Sequence, residues 1–159
     1  MKIIFHERFY ETYTSDPAAA AGRMEAIVKA LGDDFEFINP SPASEKDLAL
    51  VHTPEHIERM KRLRDVYEVG VLSVGGAIMA AEMAWGGETA FALIRPPGHH
   101  ASPESCWGFC YFSNIAIALK NLMKKEKVKK ALILDFDLHF GDGTENSFRG
   151  IPGVVYFHP

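Results

Sequence analysis

The sequence contains little cysteine and no large excess of either charge. Its 159 residues include two cysteines, Cys106 and Cys110, too few for a disulfide framework and typical of a reducing, intracellular setting. The net charge of −4 does not favour binding along nucleic acid or an anionic membrane. No apolar run approaches the roughly 20 residues that span a bilayer, and the polar residues after "MKIIF" do not fit a signal peptide. We therefore expect one cytoplasmic domain, residues 1–159, without nucleic-acid or membrane partners.

The order of apolar and amphipathic segments predicts an α/β fold. Strands are predicted at 2–5, 35–39, 90–95, 130–137 and 154–157, and helices at about 19–31, 45–49, 54–66, 73–85 and 113–125. Strands that alternate with helices indicate a mainly parallel sheet flanked by helices. Ligands of such sheets bind outside the carboxyl ends of the strands. Residues 135–142 and the segment after Arg95 should therefore lie at the same edge of the sheet.

The stretch "LILDFDLHFGDGT" (132–144) places acids directly after an apolar strand. If the strand continues, Asp135, Asp137 and His139 share one face, because side chains alternate along a strand. Buried carboxylates are costly unless a metal or a hydrogen-bonded partner compensates them. A carboxylate oxygen and an imidazole nitrogen suit Zn²⁺, Fe²⁺ or a similar ion, so we expect Asp137 and His139 to bind a metal. Asp135 is better placed to orient another group.

The second informative stretch is "RPPGHHA" (95–101), directly after a predicted strand. Its prolines and glycine indicate an irregular turn, which presents His99 and His100 side by side. Adjacent side chains diverge in an extended loop, so each histidine could be held by its own carboxylate. Asp135 and Asp142 are the acids that remain once Asp137 is assigned to the metal. That set fits a hydrolytic site with a metal, a water molecule and histidines of tuned basicity.

Two other hydrolytic sites share parts of this pattern. Asp-x-Asp after a strand also opens haloacid-dehalogenase-type phosphatases, in which Asp135 would be a nucleophile, but His139 departs from that motif and the histidine pair would stay unexplained. Arginase-like binuclear sites resemble "DxHxD", and here Gly141 occupies the position of the last carboxylate. Cys106 and Cys110 have no second pair to complete a zinc site, so we expect them to pack in the core.

Three motifs together resemble the histone deacetylase and acetylpolyamine amidohydrolase family, and are nearest its class II-like and prokaryotic members. They are "RPPGHHA", "GFCYFSNIAIA" (108–118) and "DFDLHFGDGT" (135–144), with weaker similarity in "GRMEAIVKAL" (22–31) and "LVHTPEHIERM" (50–60). The resemblance implies the arginase–deacetylase fold. It also implies hydrolysis of an N-acyl amide, usually acetyl on a lysine or polyamine nitrogen, with Zn²⁺ or Fe²⁺ as cofactor.

The resemblance further implies a role for each motif residue. His99 would pair with Asp135, and His100 with Asp142, His100 acting as general base and then general acid. Asp137 and His139 would bind the metal, Gly108 and Phe109 would line the acyl tunnel, and Arg23 would lie in the internal cavity behind the metal. Asp135, Asp137 and His139 would also contact a structural K⁺. Phe148 would contribute to a second K⁺ site.

The family pattern extends beyond the residues present. Its third metal ligand, an Asp, its transition-state Tyr and its Gly-rich loop would all follow Pro159, so we expect the N-terminal part of a single domain, truncated after about half. His158 is an alternative third ligand without support from the family. The sequence therefore leaves open whether the chain is an enzyme alone, part of one completed by a complementary C-terminal chain, or an inactive fragment that binds metal or ligand. An exposed strand edge seeks pairing, which favours self-association or such a complementary chain.

Overall fold

The computed structural model describes residues 1–159 and contains five strands and six α-helices. The strands are β1 (Lys2–Ile4), β2 (Glu36–Ile38), β3 (Ala90–Ala92), β4 (Ala131–Leu134) and β5 (Val154–Phe157). The α-helices are α1 (Arg23–Leu31), α2 (Glu45–Leu48), α3 (Pro54–Lys61), α4 (Arg64–Trp85), α5 (Asn114–Lys124) and α6 (Asp142–Phe148). Two short 3₁₀ helices, Glu7–Tyr10 and Pro17–Ala19, precede α1.

All strand pairs are parallel, as the alternation of elements predicts, but the strands form two sheets. The first has the order β2-β1-β3, with Ile3 opposite both Phe37 and Phe91. The second pairs β4 with β5, with Ile133 opposite Tyr156. One edge of β3 and one edge of β4 therefore have no strand partner.

Helix α4 contributes side chains to two apolar clusters. Val69 and Leu72 pack with the N-terminal strand, whereas Val71 and Val74 pack with α5 and β4. Glycine permits the close approach of α4 to its neighbours: a Cβ at Gly75 would clash with the Ser41 carbonyl oxygen. The helix packs directly on the first sheet and on α5.

Two predicted element bounds are wrong. The residues between the predicted helices 54–66 and 73–85 belong to α4, because Gly70 packs against the Phe112 ring and tertiary burial outweighs the low helix propensity of glycine. Strand β4 ends at Leu134 rather than at residue 137, so Asp135, Asp137 and His139 lie in a loop. The short helix α6 was not predicted.

Helix α4 also differs from the expectation that no apolar segment is long enough to span a bilayer. It has 22 residues and a mean hydropathy of 1.3 over its most apolar window, so it passes that test by length and composition. Half of that window is buried inside the protein. The helix packs on α5 and β3, as the core helix of a globular domain does.

Candidate active site

The loops that follow β3 and β4 meet around an open pocket of about 700 Å³. Both loops leave the carboxyl ends of parallel strands, where functional groups of α/β folds collect. The lining contains most of the residues singled out from the sequence: Arg23, His99, His100, Gly108, Phe109, Asp135, Asp137 and His139.

Each histidine of the tandem contacts its own carboxylate. His99 Nδ1 lies 3.0 Å from Asp135 Oδ2, and His100 Nδ1 lies 2.7 Å from Asp142 Oδ1. An ionised carboxylate only accepts hydrogen bonds, so Nδ1 of each ring carries the proton and Nε2 is the basic atom. An imidazole oriented through Nδ1 with a basic Nε2 is the arrangement that general-base catalysis uses.

Asp135 is held by a partner that the sequence did not reveal. Tyr156 Oη donates to Asp135 Oδ2 at 2.8 Å, and the same hydroxyl accepts the Gly141 N–H at 2.8 Å. Burial acts to raise the pKa of Asp135, but the hydrogen bonds from Tyr156, from His99 and from the Asp137 N–H outweigh it and lower that pKa below its usual value. Burial and the nearby carboxylate raise the pKa of Tyr156 to about 12. Asp135 is therefore a stable anion beside His99.

Gly141 lies against this group of side chains. A Cβ at position 141 would lie 2.5 Å from Asp135 Oδ2 and 2.7 Å from Tyr156 Oη. Only a residue without a side chain lets the loop after β4 pass this close to the carboxylate.

Asp142 has two donors, one for each of its oxygens. His100 Nδ1 contacts Oδ1, and Trp107 Nε1 donates to Oδ2 at 2.9 Å. Burial acts to raise the pKa of Asp142, but the hydrogen bonds from Trp107 and His100 outweigh it and lower that pKa. The indole of Trp107 also stacks on the His100 imidazole, with ring centroids 3.7 Å apart. Trp107 was not predicted as a site residue, although its place beside "GFCY" was a usable signal.

Asp137 and His139 offer an oxygen and a nitrogen atom of the kind that bind divalent ions. His139 Nδ1 lies 3.2 Å from Asp137 Oδ1, and the His139 N–H donates to the same oxygen at 2.8 Å. Two ligand atoms at about 2.0–2.2 Å from one tetrahedral Zn²⁺ are about 3.3–3.6 Å apart, slightly more than the present separation, so a small outward movement would bring the pair to two positions of such a site. The chain has no cluster of three or more His, Cys, Asp or Glu side chains that could hold an ion. His158 Nε2 lies 2.8 Å from the Asp137 carbonyl oxygen. This contact occupies the nitrogen that His158 would need as a third metal ligand.

The remaining predicted site residues lie at the border of the pocket or next to it. Gly108 has φ +61° and Phe109 is 39% exposed, and both line the pocket as a tunnel wall would require. Phe148 is the last residue of α6, and its carbonyl accepts the Ile151 N–H. Its role at a K⁺ site stays a prediction. Cys106 and Cys110 are unpaired, and burial raises the pKa of the Cys110 thiol to about 12.

Arg23 lines the pocket, and its role in an internal cavity stays a prediction. It is the first residue of α1, is exposed, and donates to the Pro17 carbonyl at 3.3 Å. The buried arginine of this region is Arg95, which is 4% exposed. Its guanidinium donates to the backbone carbonyls of Glu11, Ala18 and Ala20. Arg95 thereby fixes the turn that begins the histidine loop.

The structure thus combines a parallel α/β fold with a site in which two His–Asp pairs lie beside Asp137 and His139. Residues 63–158 match the histone deacetylase domain. The chain belongs to the histone deacetylase family, and this membership confirms the predicted fold class and argues against the phosphatase alternative.

Individual relatives agree with this assignment. A probable deacetylase of Methanothermobacter thermautotrophicus is 33% identical over 97% of this chain and 52% of its own length. A histone deacetylase-like amidohydrolase of Pseudomonas aeruginosa is 35% identical over 81% of this chain and 41% of its own length. The crystal structure of the HDA15 HD domain superposes with a TM-score of 0.86 at 26% identity, over 99% of this chain and 52% of that chain. The chain thus spans about half the length of these relatives.

Proposed function

We propose that this chain provides the general-base half of a metal-dependent deacylase site, which hydrolyses an N-acetyl or other short acyl amide on lysine or a polyamine. The observation that supports this most is the convergence of both His–Asp pairs on the Asp137–His139 pair. The His100 and His139 rings lie 6.1 Å apart, centroid to centroid, in the same pocket.

In this proposal His100 handles the proton at both steps. Its Nε2 takes the proton of the attacking water, and Asp142 stabilises the imidazolium that forms. The same Nε2 then returns the proton to the leaving amine, which an imidazole can do near neutral pH. Zn²⁺ or Fe²⁺ held by Asp137 and His139 would supply Lewis acidity to the water and to the amide carbonyl. Gly108 and Phe109 would line the path of the aliphatic acyl-lysine stem.

The test combines metal content with turnover. We expect chelator-free protein to contain zinc or iron by elemental analysis and to hydrolyse an acetyl-lysine substrate. The His100→Ala variant should keep its metal and lose about 10²-fold or more in kcat, whereas His6→Ala, a histidine outside the pocket, should not. Metal without turnover would favour the alternative, an inactive fragment that binds metal or ligand. Turnover that survives His100→Ala would contradict the proposal.

We also propose a partner for the free strand edges: a polypeptide that corresponds to the second half of a histone deacetylase domain. The gap between β3 and β4 has a volume of about 950 Å³ and is mainly apolar, with α4 and α5 at its base. The N–H groups of Ala131 and Asp135 point to β5. Because the direction of the backbone N–H groups alternates along a strand, those of Leu132 and Leu134 point to the gap. Parallel strands added there would join the two sheets and bury Leu132, which is 67% exposed.

This partner can be tested with a defined probe. The probe is the part of the Methanothermobacter probable deacetylase that follows its matched region, produced as a separate polypeptide. We expect a one-to-one complex by light scattering, and slower amide exchange at Leu132 and Leu134. Leu132→Asp should abolish the complex, whereas Leu63→Asp, at another exposed leucine that lies outside the gap, should not. A homodimer of the chain that excludes the probe would overturn the proposal in favour of self-association.

A further inference from the structure

We propose that Trp107 is a positioning residue that holds the His100–Asp142 pair in a single geometry. The inference rests on the proposed function of that pair, but the contacts that carry it are independent of any turnover.

The first contact fixes the carboxylate. Asp142 Oδ1 faces His100 Nδ1 at 2.7 Å, and Oδ2 accepts the Trp107 Nε1–H at 2.9 Å. A carboxylate bound at only one oxygen can rotate about its terminal torsion, which has a broad energy profile. With a donor on each oxygen, the plane of the carboxylate is set, and so is the direction in which Oδ1 meets the imidazole.

The second contact fixes the imidazole. The Trp107 and His100 rings are stacked with an interplanar angle of 30° and centroids 3.7 Å apart. Directly after Trp107 the chain turns at Gly108, which has φ +61°. A Cβ at position 108 would lie 3.3 Å from His100 Cδ2, so the backbone of this turn also packs against the ring. The imidazole is thus held at its Nδ1 edge and on one face.

The exposure of Trp107 argues against a role in core packing. Its side chain remains 54% exposed on the pocket, and its polar atom is directed at Asp142 rather than at solvent. A tryptophan that only formed a wall for substrate would not need this hydrogen bond. Loss of a wall raises KM, whereas loss of a positioning contact lowers kcat.

A spectroscopic test does not depend on activity. The chain has two tryptophans, so two indole N–H signals are expected in ¹H–¹⁵N spectra, and Trp85 serves as the internal reference. We expect Asp142→Ala to move the Trp107 signal upfield and to leave the Trp85 signal unchanged. Trp107→Leu should shift the His100 ring protons, which the indole face shields, whereas Trp85→Phe should not. If the His100 ring protons do not respond to Trp107→Leu, the proposal is overturned, whether or not the protein hydrolyses any amide.

The kinetic test separates the two contacts. Trp107→Phe keeps a ring on His100 but removes the donor, and Trp107→Leu removes both. We expect kcat to fall about tenfold in Trp107→Leu and by less in Trp107→Phe, with KM nearly unchanged and Trp85→Phe like the parent. A rise in KM at constant kcat would contradict positioning and assign Trp107 to substrate contact. Absence of hydrolysis in the parent protein would instead count against the proposed function, and the spectra alone would then decide the role of Trp107.

Discussion

A tyrosine hydroxyl stabilises a folded protein only where it has a hydrogen-bond partner, and this chain contains both situations. Tyr156 Oη donates to Asp135 and accepts from the Gly141 N–H. The hydroxyl of Tyr13 is buried without any partner. The two residues therefore form a natural pair for measuring the value of the contacts around Asp135.

We expect Tyr156→Phe to lower the free energy of unfolding by about 1–2 kcal/mol, because it leaves the buried Gly141 N–H without a partner and removes one of the two donors to Asp135 Oδ2. Tyr13→Phe should be neutral or stabilising, since it removes an unsatisfied polar atom. Urea unfolding of the three proteins measures both effects. Equal midpoints for Tyr156→Phe and the parent would show that the hydroxyl does not hold the loop after β4.

At the level of residues, the sequence predicted the groups that lie within recognisable motifs and missed those that reach them from elsewhere. The tandem histidines and the acids after β4 are visible because polar groups interrupt apolar runs. Tyr156 lies 21 positions beyond Asp135 and Trp107 lies 35 positions before Asp142, and no local periodicity links either pair. Arg95 was noted only as the start of a motif, because a buried arginine is recognised by its carbonyl partners and not by its neighbours in sequence.

At the level of elements, periodicity located every strand but not every end. The alternation of residues 130–137 continues past Leu134, although the ladder stops there, because β5 offers no further partner. A period of two describes a strand and an extended loop equally well, so the pattern could not separate them. Residues 67–72 of α4 lie outside the predicted helices for the opposite reason: they include Gly70, a poor helix former that close packing against Phe112 requires.

At the level of the whole molecule, the sequence predicted a parallel α/β fold but not its division into two sheets. Which strands pair depends on contacts between distant segments, and the hydrophobic pattern of each strand is the same in either arrangement. The apolar gap between β3 and β4 has no counterpart in any local motif. Only the three-dimensional placement of α4 and α5 reveals it.

The stability of the whole chain should depend on two buried histidines outside the pocket. His52 and His56 are stacked with ring centroids 4.6 Å apart. His52 accepts the Ser113 N–H at Nε2 and contacts the Ser102 carbonyl through Nδ1, so it is neutral and joins two loops. Burial, and then the neighbouring His56, lower the pKa of His52 from 6.5 to about 3, and burial also lowers the pKa of His56.

The sign of the pH dependence follows from proton binding. Between pH 6.5 and about pH 3 the unfolded chain protonates His52 and the folded chain does not, so the free energy of unfolding falls as the pH falls through this window. For this residue we expect a loss of about 2 kcal/mol between pH 7 and pH 5, measured by urea unfolding at each pH. The His52→Gln variant, whose side-chain amide can still accept the Ser113 N–H, should show a flatter profile, and His6→Gln should keep the parent slope. A parent slope in His52→Gln would mean that His52 is already protonated in the folded state, which its acceptor role at Nε2 does not allow.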